Sequence, residues 1–430
     1  MQFKNNPQKN IKMITKESSQ KEVVDIARNN DVILIEAATG TGKSKMAIDV
    51  QKDVPSHDQV TRIAITKGIS LPSFVRIAPK TLLIIAERAH KTNWIEEYKK
   101  HDCEYLLNNT TIICYASIHK YQTTKWDLII SDEFHHLSSN RLISLFTIEA
   151  KKYLFLSATA KKSIKDALYF MYRDLSIATY KISTKEAIDN KILPEPKIII
   201  HELKMDNKKI IDQITVRKGN SNIIYCSFKN RFDIMKKYPK STIVANCTQW
   251  EKYIYLNNRY DYFQKRFGFN NFNTLRAAVD RKKYLGECKT EYVQKVIMSE
   301  IPKSGRMICF CNSIDQANTL GGLNCTIHSK VKNPEKILDH FQSGKINSIY
   351  VVEMLREGMN LNNIQYGIII QLDANELSFI QRSGRIMRSD NPIIHIVYYK
   401  FTRDEEFIKK VYENVDSKYI KIIKNQYYVL

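Results

Sequence analysis

Val32-Ile33-Leu34-Ile35-Glu36-Ala37-Ala38-Thr39-Gly40-Thr41-Gly42-Lys43-Ser44 is the stretch that decides the fold. An apolar run suited to a buried strand ends in a glycine-containing turn, and the residues from Lys43 to about Val50 read as the helix that follows. That order aims several backbone N–H groups at an anion and demands a tight turn with no side chains in the way. Gly40 and Gly42 permit the turn, and Thr39 and Thr41 complete the loop. Lys43 would place its ammonium on the β- and γ-phosphates of a nucleotide and Ser44 would ligate Mg²⁺, so ATP and Mg²⁺ are the expected ligands. A chance glycine-rich turn is a poor alternative: only 13 of 430 residues are glycine, well under the usual ~7%, and two of them flank Thr41.

The chain is long enough for two domains of ordinary size and one sizeable insertion. Its 43% hydrophobic and 26% charged residues are those of a soluble globular protein. No apolar run approaches the ~18 residues of a membrane span, and Met1-Gln2-Phe3-Lys4-Asn5-Asn6 has no signal-peptide apolar segment. The expectation is a cytoplasmic protein with no membrane partner. Eight cysteines form no C-x-x-C pair. Cys309 and Cys311 would share one face of a strand, which favours buried thiols over zinc or disulfides. A net charge of +22 favours a polyanionic partner, nucleic acid first, although heavy use of Lys, Asn, Ile and Tyr also fits an AT-rich coding sequence.

Upstream of the loop, Ser18 to Ala27 has helical apolar spacing with a cap expected at Ser18 or Ser19. Gln20 on that helix could present its amide to an adenine edge, or be an ordinary surface glutamine. Downstream, Thr81-Leu82-Leu83-Ile84-Ile85 and Thr110-Thr111-Ile112-Ile113-Cys114-Tyr115 read as strands separated by helical segments. Such alternation implies a parallel sheet covered on both faces, with ligands at the carboxyl ends of its strands. Trp126 to Asp132 is a further buried strand, which would deliver Asp132 and Glu133 to that same edge. Asp132 would hold Mg²⁺ and Glu133 would orient and polarise the attacking water. Tyr153-Leu154-Phe155-Leu156 ends similarly in Ser157-Ala158-Thr159.

Ala37 to Ser44, Asp132-Glu133-Phe134-His135 and Ser157-Ala158-Thr159 resemble motifs I, II and III of superfamily 2 helicases of the DExH group, in the same order and spacing. Ala37 in place of the first loop glycine is a departure shared with a large class of nucleic-acid motors. Val352 to Leu361, with Gly358, resembles motif V. Gln381-Arg382-Ser383-Gly384-Arg385-Ile386-Met387-Arg388 matches the motif VI pattern Q-x-x-G-R-x-x-R. The resemblance implies that Gln381, Arg385 and Arg388 serve ATP hydrolysis; a guanidinium fork suits phosphate oxygens, and arginines three apart share a helix face. It also implies an α/β fold of two RecA-like lobes with parallel sheets and ATP in the cleft between them.

On this reading lobe 1 spans 1–184, the proline-containing segment 185–197 is a linker, and lobe 2 spans 198–430 with a mostly helical insertion at about 201–290. Within the insertion, Thr248 to Phe267 is helix-like and dense in rings and bases, which suits stacking on nucleobases or, equally, an amphipathic helix burying its aromatic face. After Tyr398 a last basic helix is expected. The text around Trp94, the Asp132 box and the run to Arg388 look most like UvsW and XPB-type DNA translocases, which favours DNA over RNA. An RNA helicase, a motor subunit that moves on duplex without separating strands, and an annealing protein with a vestigial ATPase stay open.

Overall fold

A computed structural model of the chain describes residues 14–56, 78–352, 363–372 and 389–424, apart from 89, 159 and 161, together with the single residues 361 and 386. The chain divides into two compact units, the first built mainly from Met1–Glu195 and the second from most of the chain from Pro196 onward. The first holds six strands: β1 Val32–Ala37, β2 Thr81–Ile85, β3 Thr110–Cys114, β4 Trp126–Asp132, β5 Ala150–Ser157 and β6 Ile177–Ile182. They form one sheet in the order β3-β2-β4-β5-β1-β6, parallel throughout. Every residue of β1 and β2 is buried, as expected of strands covered on both faces. Each fully buried Ile or Leu there contributes about 1.5–3 kcal/mol, so burial outweighs local propensity in fixing these strands.

Three helices bear on the site: α1 Lys16–Asn29, α2 Lys43–Asp53 and α3 His90–Lys100. The cap of α1 is Thr15 and not Ser18 or Ser19. Thr15 Oγ1 accepts from Ser18 N at 3.0 Å while Ser18 Oγ accepts from Thr15 N at 2.7 Å, so Ser18 is the return partner of a capping box and Ser19 is buried. Gln51 ties α2 to the sheet: its Nε2 donates to Thr81 Oγ1 and Thr110 Oγ1, and its Oε1 accepts from Tyr98 on α3 at 2.6 Å.

The proline-containing segment after the first sheet is not plain linker. It holds a helix, Thr184–Asp189, capped by Ser183 with Glu186 returning the bond, and it runs directly into β7 Lys197–Leu203. That strand is an interior strand of the second unit, next to an edge strand. With β11 Met307–Phe310, β12 Thr326–Ile327, β13 Ser348–Val351, β14 Tyr366–Ile369, β15 Ile393–Tyr399 and β16 Ile420–Lys424 it forms a seven-stranded sheet, ordered β12-β13-β11-β14-β15-β7-β16. All of its pairs are parallel. The expected last helix exists, Asp404–Asn414, but its first turn is acidic and the chain continues into β16, an added edge strand beside β7.

The insertion begins after β7 and contains its own sheet. The strands β8 Ile210–Arg217, β9 Ile223–Ser227 and β10 Thr242–Thr248 are ordered β8-β10-β9, followed by the long helices Gln249–Phe267 and Phe272–Glu287. Thr248 caps the first of these in a capping box with Glu251, so it starts where the sequence indicated. Much of its aromatic–basic pattern serves the interior: Tyr253 and Tyr260 are buried, Trp250 packs on the core of the second unit and Tyr255 on the small sheet. Lys252 is paired with Asp212 at 2.7 Å and Arg259 with Asp280 at 3.1 Å. The amphipathic reading therefore holds for the first part of this helix. All eight cysteines are free, and Cys309 and Cys311 are buried.

The helix Phe272–Glu287 is joined to the second sheet by Lys289, which is fully buried. Its ammonium contacts Asp404 Oδ2 at 2.7 Å and donates to Ile370 O and Gln371 Oε1. Gln371 Nε2 in turn donates to Asp404 Oδ1. Burial pulls the Lys289 pKa below its ordinary value, against the opposing pull of Asp404. Lys289→Met leaves a buried carboxylate without its cation and should cost about 3–5 kcal/mol, read as a lower urea midpoint of the full chain; a midpoint unchanged from wild type would show that the pair contributes nothing net.

Candidate active site

Parallel register brings the chemistry to one edge. β1 lies between β5 and β6, with Glu36 opposite Ser157 and Ala37 opposite Ile182. β4 lies beside β5, with Asp132 opposite Leu156. The glycine loop, the Asp132–Glu133 pair and Ser157 therefore all lie at or just past the carboxyl ends of neighbouring strands.

The loop has the conformation that its glycines allow. Gly40 and Gly42 take φ of 93° and 95°, the left-handed region that other residues enter at a cost, and Gly42 is the N-cap of α2. Thr41 is buried, and its hydroxyl donates to Ala38 O at 2.7 Å. Lys43 Nζ donates to Ala37 O at 3.0 Å, which holds the ammonium over the loop. Thr39 and Ser44 are partly exposed. Helix α1 lies against the loop, since a Cβ at Gly42 would stand 3.2 Å from Lys16 Cε and 3.4 Å from Gln20 Nε2. Gln20 is thus at the loop, and Gly42 is needed both for its φ and for its neighbours.

Asp132 and Glu133 are differently held. Asp132 Oδ2 accepts from the Trp94 indole at 2.8 Å. Burial first, and then the Glu133 charge, push its pKa up to about 7 against the Trp94 bond and the charge of Lys43. A carboxyl in that position gains from a cation that would favour its ionised form. Glu133 is left-handed, at φ 50° and ψ 51°, an uncommon backbone for a residue with a side chain and one found often at functional sites. His135 Nδ1 stands 3.4 Å from Glu133 Oε2 and 3.0 Å from Ser157 Oγ, so one imidazole links the acidic box to the end of β5.

Two positioning residues were not legible as such. The sequence marks Trp94 only through family likeness and Tyr115 only as the end of a strand. The Tyr115 hydroxyl bonds Ser131 Oγ at 2.8 Å and donates to Asp132 O at 2.6 Å, fixing the backbone from which the acidic pair projects. Both lie on elements distant in sequence from β4, and nothing in their local spacing marks them. Thr159, Gly358, Gln381, Arg385 and Arg388 lie outside the described residues. Among the described residues no cluster of three or more His, Cys, Asp or Glu could hold a metal, and no helix is long and apolar enough to cross a membrane.

Residues 5–162 match the family model described as the type III restriction enzyme res subunit, and residues 288–390 match the helicase conserved C-terminal domain. The chain belongs to the superfamily 2 helicases. Helicase-family models thus fall on both parallel-sheet units, and both units are RecA-like. Among solved structures it is similar to S. cerevisiae Dbp5 bound to RNA and ADP BeF3, with a TM-score of 0.51 and 10% identity over 95% of this chain and 89% of that one. A type ISP restriction-modification enzyme, LlaBIII bound to DNA, matches at TM-score 0.46 and 13% identity, over 98% of this chain and 32% of that chain. A curated relative, Dicer-like protein 2 of Phaeosphaeria nodorum, is 24% identical over 107 residues, which span 25% of this helicase and 8% of that protein.

Gly42→Ala should destabilise the helicase by about 1–2 kcal/mol through its left-handed φ and weaken ATP binding as Lys16 and Gln20 give way. Thermal unfolding and titration with a fluorescent ATP analogue would measure both; wild-type values in each would show that the loop tolerates a side chain.

Proposed function

We propose that this helicase couples ATP hydrolysis to movement along, or opening of, duplex or branched DNA. The observation that supports it best is the convergence of Lys43, Asp132 and Glu133 at the carboxyl edge of one parallel sheet. Lys43 neutralises the β/γ-phosphates, and the N-terminal amides of α2 receive their oxygens. Ser44 and Asp132 would hold Mg²⁺. They offer the oxygen donors that a hard cation takes, and so small a protein set suits an ion that keeps phosphate and water ligands. Bound there, the cation would supply charge neutralisation to the transferring phosphoryl group.

Glu133 then orients and polarises the attacking water, with His135 relaying its position to Ser157. Gln20 reads the adenine edge. By sequence, Gln381, Arg385 and Arg388 add hydrogen bonds and fixed positive charge as the transition state forms, and Gly358 belongs to the nucleotide-responsive motif V.

The preference for DNA rests on sequence. The text around Trp94, the Asp132 box and the run to Arg388 resemble UvsW and XPB-type translocases, and the segment after β2 lacks the P-T-R-E-L-A text of DEAD-box RNA helicases. Likeness to an RNA-bound structure at 10% identity bears on the fold alone. A vestigial ATPase is disfavoured by the intact Lys43 and Glu133 and by the strained backbone maintained at Glu133.

Lys43→Ala and Glu133→Gln should both abolish turnover but part company in binding: ATP affinity falls in the first and persists in the second. Equal losses of affinity would remove this division of roles. Arg388→Ala should leave ATP binding nearly intact while cutting hydrolysis by about 10³-fold, the low end for an arginine finger, and an unaffected steady-state rate would take Arg388 out of the phosphate chemistry.

A further inference from the structure

The helices Gln249–Phe267 and Phe272–Glu287 form a hairpin that lies between the two family-matched segments. Gly268 turns the chain at φ 80° with open space where its Cβ would be, and Asn271 caps the second helix. The base of the hairpin is packed, through Tyr253, Tyr284 and Leu285. Its tip is different. Phe267 is 46% exposed, Phe269 66% and Phe272 72%, and Tyr262, Leu275 and Val279 are exposed as well.

Phe272, Leu275 and Val279 recur at helical spacing, as a buried stripe would, yet the same helix already buries Thr274, Ala277, Arg281 and Leu285 on its inner face. The outer stripe is therefore surplus to the core. A chain of ring contacts runs through the tip: Tyr262 to Phe263 at 5.5 Å, Phe263 to Phe267 at 6.2 Å, and Arg266 over Phe267 at 5.4 Å.

Charge tells what such a surface would receive. From Tyr262 to Val279 there is no Asp or Glu, while Lys265, Arg266 and Arg276 are present and exposed. Asp261 and Asp280 border the stretch, and Asp280 is taken by Arg259; exposed rings interleaved with bases that make no ion pair among the described residues match a ligand that alternates flat apolar faces with anionic links, which is single-stranded nucleic acid. Duplex would offer phosphates but keep its bases stacked, leaving the rings without a partner.

We propose that the hairpin tip is a stacking platform for unpaired bases of single-stranded DNA, with Phe267, Phe269 and Phe272 as stacking rings and Lys265, Arg266 and Arg276 on the phosphates. The proposal rests on the nucleic-acid-motor reading and adds to it a site outside the motor motifs.

The test uses the full chain, a fluorescent oligo-dT and anisotropy over a salt series. Combined Ala substitution of Phe267, Phe269 and Phe272 should weaken oligo-dT by roughly five- to 150-fold for each base that loses its ring, with the salt slope unchanged and the melting temperature held. Ala substitution of Lys265, Arg266 and Arg276 should instead flatten the slope of log affinity against log salt by about 0.7 per lost phosphate contact. In Phe269→Trp, oligo-dT should quench the new indole.

Wild-type affinity and slope in both sets of variants would overturn the platform while leaving the motor reading intact. Loss of binding to phosphatidylserine vesicles with oligo-dT binding preserved would overturn it in favour of a lipid surface. A wild-type chain that bound neither oligo-dT nor duplex would overturn the motor reading itself.

Discussion

Everything at the candidate site depends on the parallel register of β4, β5 and β1. Side chains on three separate strands can act on one phosphate group only if those strands end at the same height. The pairing of Glu36 with Ser157 and of Asp132 with Leu156 achieves this. Because both faces of the sheet are covered, a slip along a strand would draw the polar residues that flank each apolar run into the core. The burial that stabilises the sheet therefore also fixes the geometry of Lys43, Asp132 and Glu133. Local costs are then tolerated on top of this frame: the left-handed Glu133 and a buried Asp132 whose pKa stands near 7.

Contacts behind the acidic pair turn that frame into a site. Trp94 from α3 reaches Asp132, Tyr115 reaches its backbone, and His135 lies between Glu133 and Ser157. Gln51 and Tyr98 hold α2 and α3 against β2 and β3, so the helix that begins the phosphate loop and the helix that carries Trp94 are fixed by one buried amide.

Sequence made the motor edge legible because its demands are local. A phosphate loop needs glycines at set places, and a buried strand followed by two carboxylates has few other uses. Trp94 and Tyr115 were hidden since their roles arise only when distant strands align. β7 is obscured by Pro194 and Pro196, which mark a chain turn without telling that an interior strand begins one residue later. β16 was missed because Ile420 to Lys424 is short and basic, as an exposed edge strand can be. The aromatic–basic helix divides in a way composition does not foretell: its first turns are core, and the surplus rings gather at the tip with Phe269 and Phe272, beyond the aromatic–basic stretch itself.

The central claim is that this edge hydrolyses ATP in response to DNA. Steady-state phosphate release measured with Mg²⁺–ATP as substrate, in the absence of nucleic acid and with single-stranded, duplex and branched DNA and RNA of equal length, tests it most directly. The account predicts a low basal rate that rises with DNA, most with duplex or branched forms, and less with RNA. A rate that no nucleic acid changes, or that RNA alone raises, would contradict it.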